Sequence, residues 1–219
     1  MKPRLSPKRN AAMTLFEVGV LVTIILVLVA LLLPRLQRPR HDRSRIICVN
    51  NLKQLGLAYR IWEGDNGDIY PMGISITNGG SMEMVNTGDV LQTFLVMSNE
   101  LSTPKILFCP ADVSRHPATS FSGLSNANIS YFVCVDVTNN ATNPMMIISG
   151  DCNFEMGGVP VKPGLNAFGS HDPLAWSATR HMNAGNIGLA DGSVQQVTDA
   201  GLTNALIMTG LATNRFVMP

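Results

Sequence analysis

Cysteine is the residue type of this 219-residue chain best suited to covalent chemistry, and it occurs four times: Cys48, Cys109, Cys134 and Cys152. Four thiols allow three different pairings into two disulfides, and their spacing does not choose among them. None of the spacings matches the short cysteine pairs that are typical of zinc sites. The cysteine spacing therefore leaves the disulfide pairing open and gives no indication of zinc.

Two histidines and two aspartates in the last third of the sequence are candidate metal ligands: His171, Asp172, His181 and Asp191. Their spacing matches no recognised ligand pattern. Residues 65–68, Asp-Asn-Gly-Asp, look like part of a calcium-binding loop but lack its later glutamate, so a turn is the better interpretation. The residues alone therefore assign no metal ligand.

Asp191 and Gly192 separate two short runs, residues 186–190 and 193–197, that have strand character. Asp-Gly supplies the positive φ angles that a tight two-residue turn needs. We therefore predict a β-hairpin here, with a structural role for both residues. His181 is expected to stabilise the hairpin or a neighbouring loop through a hydrogen bond.

Glu17 is the one charged residue in an apolar run of 21 residues, 13–33. A carboxylate at the middle of a membrane helix costs about 2.5–3.5 kcal/mol on insertion scales, and less near the interface. Such residues are functional candidates that need a partner. The alternative is an interfacial glutamate whose carboxylate simply reaches water.

The apolar run that carries Glu17 is long enough to cross a bilayer. At about 1.5 Å rise per residue, it covers the roughly 30 Å hydrocarbon core. Residues 1–12 before it hold four basic residues and no acid, and residues 35–45 after it carry the same net charge, so the positive-inside rule does not fix the orientation. We predict a basic leader over residues 1–12 and a transmembrane helix over residues 13–33.

A second helix is predicted by five apolar residues that recur at intervals of four and three: Cys48, Leu52, Leu55, Tyr59 and Trp62. Pro34 and Pro39 precede this stripe and favour a kink or a break. Residues 34–64 are therefore predicted to form a kinked amphipathic stem. Residues 65–219 carry strand and turn signals, for example the alternating run 129–137, and are predicted to form a β-rich globular domain.

Composition excludes several classes of protein. Charged residues make up 14% of the chain, hydrophobic residues 46%, and the net charge is +1. These values exclude a disordered chain and a strongly basic nucleic-acid-binding protein. No nucleic-acid partner is expected.

The segment Ala12-Met13-Thr14-Leu15-Phe16-Glu17 resembles the prepilin signature of type IV pilins and type II secretion pseudopilins. In that family a membrane peptidase cuts after a small residue, and the new N-terminal residue is N-methylated. The resemblance implies cleavage between Ala12 and Met13, N-methylation of Met13 and a role for Glu17 in filament assembly. Ala12 stands where the family usually has glycine, which implies slower cleavage.

Three further segments, residues 48–71, 107–112 and 181–192, are similar to a large bacterial group of pilin-like proteins. The group is named for a histidine followed by nine residues and Asp-Gly, and the resemblance covers nearly the whole chain. It implies that His181, Asp191 and Gly192 form a structural signature. Because Cys48 and Cys109 both lie in these segments, it also implies a disulfide between them.

The implied fold is α+β and type IV pilin-like, with a long N-terminal helix, transmembrane and then amphipathic, packed on a C-terminal antiparallel β-sheet domain. The implied function is that of a pseudopilin, resembling the major pseudopilin, in a short periplasmic filament of a type II secretion-like system. The implied localisation is the bacterial inner membrane, single-pass, with the C-terminal domain in the periplasm. The expected partners are prepilin peptidase, other copies and minor pseudopilins, the inner-membrane secretion platform and the membrane itself.

Two alternative functions stay open: a subunit of an external type IV pilus, and a membrane-anchored periplasmic enzyme or binding domain. No nucleophile elbow or His-Glu-x-x-His pattern supports an enzyme, so no catalytic activity is expected. No cofactor is predicted. If an ion is bound, the resemblance implies calcium in a C-terminal loop, with Asp136, Asp151 or Asp191 as candidate ligands.

Overall fold

The computed structural model describes the backbone of residues 15–36, 40–139 and 143–219. The chain forms two compact units, Met1–Pro39 and Arg40–Pro219. The helix α1 (Leu15–Leu36) belongs to the first unit, and the other described elements belong to the second. The expected cleavage residues Ala12 and Met13 lie outside the described residues.

Helix α1 has 22 residues, is apolar along most of its length and carries Glu17 in its first turn. Its side chains are described over residues 15–30, and all of these are exposed. The exposed fraction of its large apolar side chains runs from 44% for Val20 to 94% for Leu15. The described part of α1 therefore presents its apolar surface outward instead of burying it.

No helix in the described part of the chain combines the length and the apolar character needed to cross a membrane. A membrane-spanning helix needs about 20 consecutive apolar residues. The prediction of a transmembrane helix over residues 13–33 is therefore wrong. The single-pass inner-membrane localisation with a periplasmic C-terminal domain, which depended on it, is also wrong.

Helix α2 (Arg40–Asp65) has 26 residues and buries one face in the second unit. The five residues of the predicted apolar stripe are all at most 5% exposed: Cys48, Leu52, Leu55, Tyr59 and Trp62. The opposite face remains in solvent, where Leu57 and Ile61 are exposed. The apolar stripe therefore packs this helix against the core of the second unit.

Shorter helices connect α2 to the strands and cover the domain. The α-helices are α3 (Met82–Asn86), α4 (Leu91–Val96), α5 (Ser98–Leu101) and α6 (Asp199–Met208). The 3-10 helices are Pro71–Gly73, Ile76–Asn78, Pro104–Leu107, Phe121–Gly123 and Asn126–Asn128. Helix α6 begins where the side chain of Thr198 accepts a hydrogen bond from the N–H of Gly201, an N-cap typical of threonine.

The described residues contain nine strands. They are β1 (Tyr131–Cys134), β2 (Ile147–Asp151), β3 (Phe154–Met156), β4 (Val159–Pro160), β5 (Gly164–Gly169), β6 (Leu174–Trp176), β7 (Gly185–Leu189), β8 (Val194–Val197) and β9 (Thr213–Met218). The larger sheet has the order β5-β9-β1-β2-β7-β8, and the smaller has the order β4-β3-β6. All the pairings are antiparallel.

The predicted α+β, type IV pilin-like fold, with one long N-terminal helix packed on a C-terminal antiparallel sheet, is wrong. The helical region is divided, because α1 ends at Leu36 and α2 begins at Arg40 in the other unit. The helix that lies on the large sheet is α2, against β2, β7 and β8. The six-stranded sheet and the additional three-stranded sheet also differ from the expected single sheet.

Aromatic side chains join the two sheets. Phe154 on β3 of the smaller sheet lies against Phe132 on β1 and Phe216 on β9, with ring centroids 5.4 and 6.2 Å away. It also contacts Trp176 on β6, at 4.6 Å. Such pairs contribute about 0.5–1.5 kcal/mol each beyond the area they bury. The second unit therefore has one continuous core beneath α2 and between the sheets.

Candidate functional site

Four buried side chains from distant parts of the sequence meet in the second unit: Cys48, Cys109, Asp151 and His181. We call them the Cys–His–Asp cluster. They are 0–3% exposed, and one ligand atom from each lies within 4.8 Å of the others. Cys48 and Cys109 form a disulfide. Nε2 of His181 lies 3.3 Å from Sγ of Cys109 and 3.6 Å from Oδ2 of Asp151. The cluster thus holds a disulfide, an imidazole and a carboxylate away from solvent.

The disulfide joins α2 to the segment after the 3-10 helix that ends at Leu107. Cys48 belongs to the buried stripe of α2. Asn51, almost one turn later on the same helix, donates a hydrogen bond from Nδ2 to the carbonyl oxygen of Phe108, at 2.9 Å. This bond holds the residue before Cys109 against α2. The two cysteines are the pair that the family resemblance implied.

The backbone at His181 is unusual. His181, Met182 and Asn183 have consecutive positive φ angles of 49°, 55° and 58°. Left-handed backbone is uncommon for residues other than glycine, and each such residue costs on the order of 1–3 kcal/mol. Arg45 on α2 donates a hydrogen bond to the carbonyl oxygen of His181, at 3.3 Å. The strained turn is therefore held against α2 while the imidazole points into the protein.

Asp151 lies at the end of β2 with its carboxylate fully buried. Its Oδ2 accepts hydrogen bonds from the backbone N–H and the Nδ2 of Asn186, at 2.8 and 2.7 Å. Its Oδ1 has no hydrogen-bond partner in the described part of the chain. Burial raises the pKa of Asp151 to about 6, although the bonds from Asn186 and the positive charge of Arg180 act in the opposite direction.

A buried ion pair supports the residue before His181. Arg180 lies 2.5 Å from Oδ2 of Asp112, which also accepts from Oγ of Ser130 at 2.8 Å and contacts Arg115 at 3.2 Å. Burial acts to raise the pKa of Asp112, but Arg180 and the hydrogen bonds outweigh it and the pKa is lowered. The pair therefore fixes the start of the turn that carries the imidazole.

The predicted β-hairpin is present as β7 and β8, but its turn has three residues, not two. Leu189 and Ser193 pair across it, and the N–H of Gly192 donates to the carbonyl oxygen of Leu189, at 2.9 Å. Gly192 has a φ of +84°, whereas Asp191 is not left-handed. Asp191 instead accepts a hydrogen bond from the N–H of Ser193, at 2.8 Å. This is the pattern of a three-residue loop that ends in a left-handed glycine.

The two ends of the His-x9-Asp-Gly signature contact different parts of α2. His181, before β7, lies beside the disulfide of Cys48. Gly192, after β7, lies against Gly56, two turns further along α2: a Cβ added at Gly56 would be 3.6 Å from the carbonyl oxygen of Gly192. Tyr70 donates to the carbonyl oxygen of Ala190 in the same turn, at 3.0 Å. The two ends of the signature therefore flank β7, a strand against which α2 packs.

The structure groups the candidate metal ligands differently from the sequence spacing. In the described part of the chain, the structure brings together one group of three or more residues that could ligate a metal. This group is the Cys–His–Asp cluster. It includes His181 but not His171, Asp172 or Asp191. Asp172 accepts a hydrogen bond from the N–H of Gly169, and Asp136 pairs with Arg215 at 2.6 Å. Calcium binding at Asp136, Asp151 or Asp191 stays a prediction.

Sequence reasoning missed the cluster because its members are far apart. Cys48 and Cys109 are separated by 61 residues, too many for a metal-binding pattern. Asp151 was considered only as one of three calcium candidates. The available signal was that Cys48, Cys109 and His181 each lie in one of the three family-like segments.

No protein-family model, curated protein or solved structure matches this chain. Of the residues in the prepilin-like signature, the structure describes Leu15, Phe16 and Glu17, which form the first turn of α1. Function is therefore inferred from the signature, from the exposed surface of α1 and from the chemistry of the cluster.

Proposed function

We propose that this chain is a pseudopilin: a subunit that prepilin peptidase cuts after Ala12 and that assembles with other copies into a short filament of a type II secretion-like system. The observation that carries the proposal is the exposed apolar surface of α1 directly after the expected cleavage site. Apolar patches of this kind on a protein surface mark interaction sites. The proposed occupant of the patch is α1 of other copies of the same chain.

The surface of α1 has the geometry of a helix-packing face. Phe16, Gly19, Val20, Thr23 and Ile24 line one groove and follow the three-and-four spacing of a single helix face. Gly19 has no atoms near the position of an added Cβ, so a neighbouring helix can approach closely there. Larger side chains above and below would then fill the gaps of the partner helix, as ridges fill grooves.

Glu17 supplies the proposed polar contact between subunits. It is exposed in the first turn of α1. Cleavage after Ala12 would create an amine on Met13 of each copy, and pairing with the Glu17 carboxylate of a neighbour would fix the register between helices. An isolated charge is costly to bury in an apolar filament core, and pairing would offset that cost.

The disulfide is compatible with this function. Disulfides persist in oxidising compartments and are rare in the cytoplasm. The Cys48–Cys109 bond would stabilise each subunit while α1 makes the contacts between subunits.

Mass spectrometry of the protein isolated from its natural host tests the processing step. The expected N-terminus is N-methylated Met13, and an intact segment 1–12 would overturn the proposal. Glu17→Gln tests assembly, with Glu155→Gln on β3 as the matched control. We expect both variants to be processed, but only Glu17→Gln to be missing from cross-linked filaments. Normal incorporation of Glu17→Gln would refute its proposed role, and long surface filaments would indicate an external pilus instead.

A further inference from the structure

We propose that the Cys–His–Asp cluster binds one zinc ion when its disulfide is reduced. The same four side chains then have two forms, one with the disulfide and one with a bound zinc ion. The ligands are the sulfurs of Cys48 and Cys109, Nε2 of His181 and a carboxylate oxygen of Asp151. This inference does not depend on the proposed filament function.

The four ligands have the types and the number that zinc prefers. Structural zinc sites are tetrahedral and use cysteine, histidine and acidic ligands without an open position. Zinc–ligand distances of about 2.0–2.3 Å place neighbouring ligand atoms about 3.3–3.8 Å apart. In the structure, Nε2 of His181 already lies 3.3 Å from Sγ of Cys109 and 3.6 Å from Oδ2 of Asp151. The two sulfurs are the atoms that must separate, to about 3.8 Å.

The environment of Asp151 independently points to a cation. A buried carboxylate is costly unless hydrogen bonds or positive charge compensate it. Asn186 satisfies Oδ2, but Oδ1 is fully buried without a hydrogen-bond partner in the described residues. A zinc ion in the cluster would compensate this charge. The bonds from Asn186 would act as the outer contacts that commonly orient a metal-binding carboxylate.

The ligands are also held in place before any ion binds. Cys48 is on α2, Asp151 ends β2, and His181 lies in the turn that Arg180 and Arg45 fasten. His181 has a strained left-handed backbone. Its effect is to direct the imidazole at the sulfur of Cys109. Strain of this kind is commonly found where a side chain must be aimed at a ligand.

The exchange between the two forms balances chemically. A dithiol reductant donates two electrons and two protons to the disulfide, which becomes two thiols, while the dithiol becomes a disulfide. Zinc binding then displaces the two thiol protons, because thiolates are the ligands. Sulfur and nitrogen ligands favour zinc over calcium or magnesium, which prefer oxygen. In both forms Cys48 and Cys109 link α2 to the rest of the domain.

The test uses the full chain, purified in a phosphine reductant throughout, and the same chain after oxidation. Isothermal titration with zinc chloride and elemental analysis should show one zinc per reduced chain and none on the oxidised chain. Cobalt(II) should give the visible absorption of a tetrahedral thiolate site. Absence of zinc from the reduced chain, or equal binding by the oxidised chain, would overturn the proposal.

Variants identify the ligands. His181→Ala should weaken zinc binding by more than the roughly 10–100-fold that loss of an outer contact causes. His171→Ala is the matched control and should bind like the parent, as should Cys134→Ser, which tests binding by an unrelated thiol. Asp151→Asn gives a second test if His181→Ala does not fold, because asparagine keeps an acceptor for Asn186. Unchanged affinity in the folded cluster variants would exclude these ligands.

Discussion

Helices α1 and α2 follow one another in the sequence but use their apolar residues in opposite ways. The described part of α1 is the more apolar of the two, and it leaves its large side chains 44–94% exposed. Helix α2 has fewer apolar residues, but its stripe from Cys48 to Trp62 is buried. Apolar content therefore does not predict which helix packs within the chain. In α2 the apolar residues form one stripe that faces the domain, while polar residues face water.

This contrast separates the two kinds of effect that mutations should have. Changes on the buried face of α2 or in the core beneath it should lower the stability of the second unit. Changes on α1 should leave that stability unchanged and affect contacts with other copies. The predictions below test this separation, beginning with the largest effect.

Two acidic residues provide the strongest contrast. Asp112→Asn should lower the free energy of unfolding by about 3–5 kcal/mol, because Arg180 would remain buried without its partner charge. Glu17→Gln makes the same chemical change in α1 and should alter it by less than about 0.5 kcal/mol. Urea unfolding of both variants measures these values. A large loss in Glu17→Gln would mean that α1 contributes to the stability of the folded unit.

Asp112 also predicts a pH dependence. Its pKa is lowered in the folded protein, so its stabilising effect is present above the ordinary aspartate pKa of about 3.9. The stabilisation is lost as the pH falls through the lower pKa of the folded state. The parent should therefore lose stability below about pH 4 more steeply than Asp112→Asn. Equal slopes in acid unfolding curves would contradict this role.

Two leucines test the two faces of α2. Leu55 is fully buried, and Leu55→Ala should cost about 2–5 kcal/mol because it removes core contacts and leaves a cavity. Leu57, on the same helix, is 59% exposed, and Leu57→Ala should cost less than about 0.5 kcal/mol. Leu21→Ala on α1, where the side chain is 52% exposed, should behave like Leu57→Ala in thermal unfolding. A marked loss of stability in Leu21→Ala would remove the distinction between the helices.

Two facing glycines give smaller effects than the core substitutions, and these have opposite signs. Gly192→Ala should cost about 1–2 kcal/mol, because its φ of +84° is unfavourable for alanine. Gly56→Ala should stabilise α2 by about 0.5–1 kcal/mol, because glycine is unfavourable within a helix and the new Cβ makes an ordinary contact at 3.6 Å. Differential scanning calorimetry can resolve both changes. Destabilisation by Gly56→Ala would show that the turn of the hairpin packs more tightly on α2.

Local patterns predicted the local elements well. The intervals of the apolar stripe identified the buried face of α2, and the strand runs around Asp-Gly identified the β7–β8 hairpin. The turn length was wrong because Ala190 has no turn signal of its own, yet it belongs to the loop. The alternating run 129–137 indicated a strand, and within it β1 forms over Tyr131–Cys134, with all four residues buried because the sheet is covered at its centre.

Features that depend on distant residues were not predictable in this way. The smaller sheet consists of strands of two or three residues, which are too short to show an alternating pattern. The ligands of the Cys–His–Asp cluster come from α2, the segment before β1, the end of β2 and the turn before β7. The prediction of a transmembrane helix, which was wrong, was made from the length of the apolar run in the sequence and not from distant residues. The resemblance to pilin-like proteins supplied the disulfide pair, which spacing had left open.

The position of β9 in the larger sheet has a consequence for synthesis of the protein. β9 comes last among the strands in sequence but lies inside the sheet, between β5 and β1. During translation β1 and β5 are therefore made long before the strand that separates them, and their open edges can meanwhile pair wrongly with each other or with another chain. We expect the second unit to fold only after β9 has left the ribosome, and the edges of β1 and β5 to stay exposed to wrong pairing until then.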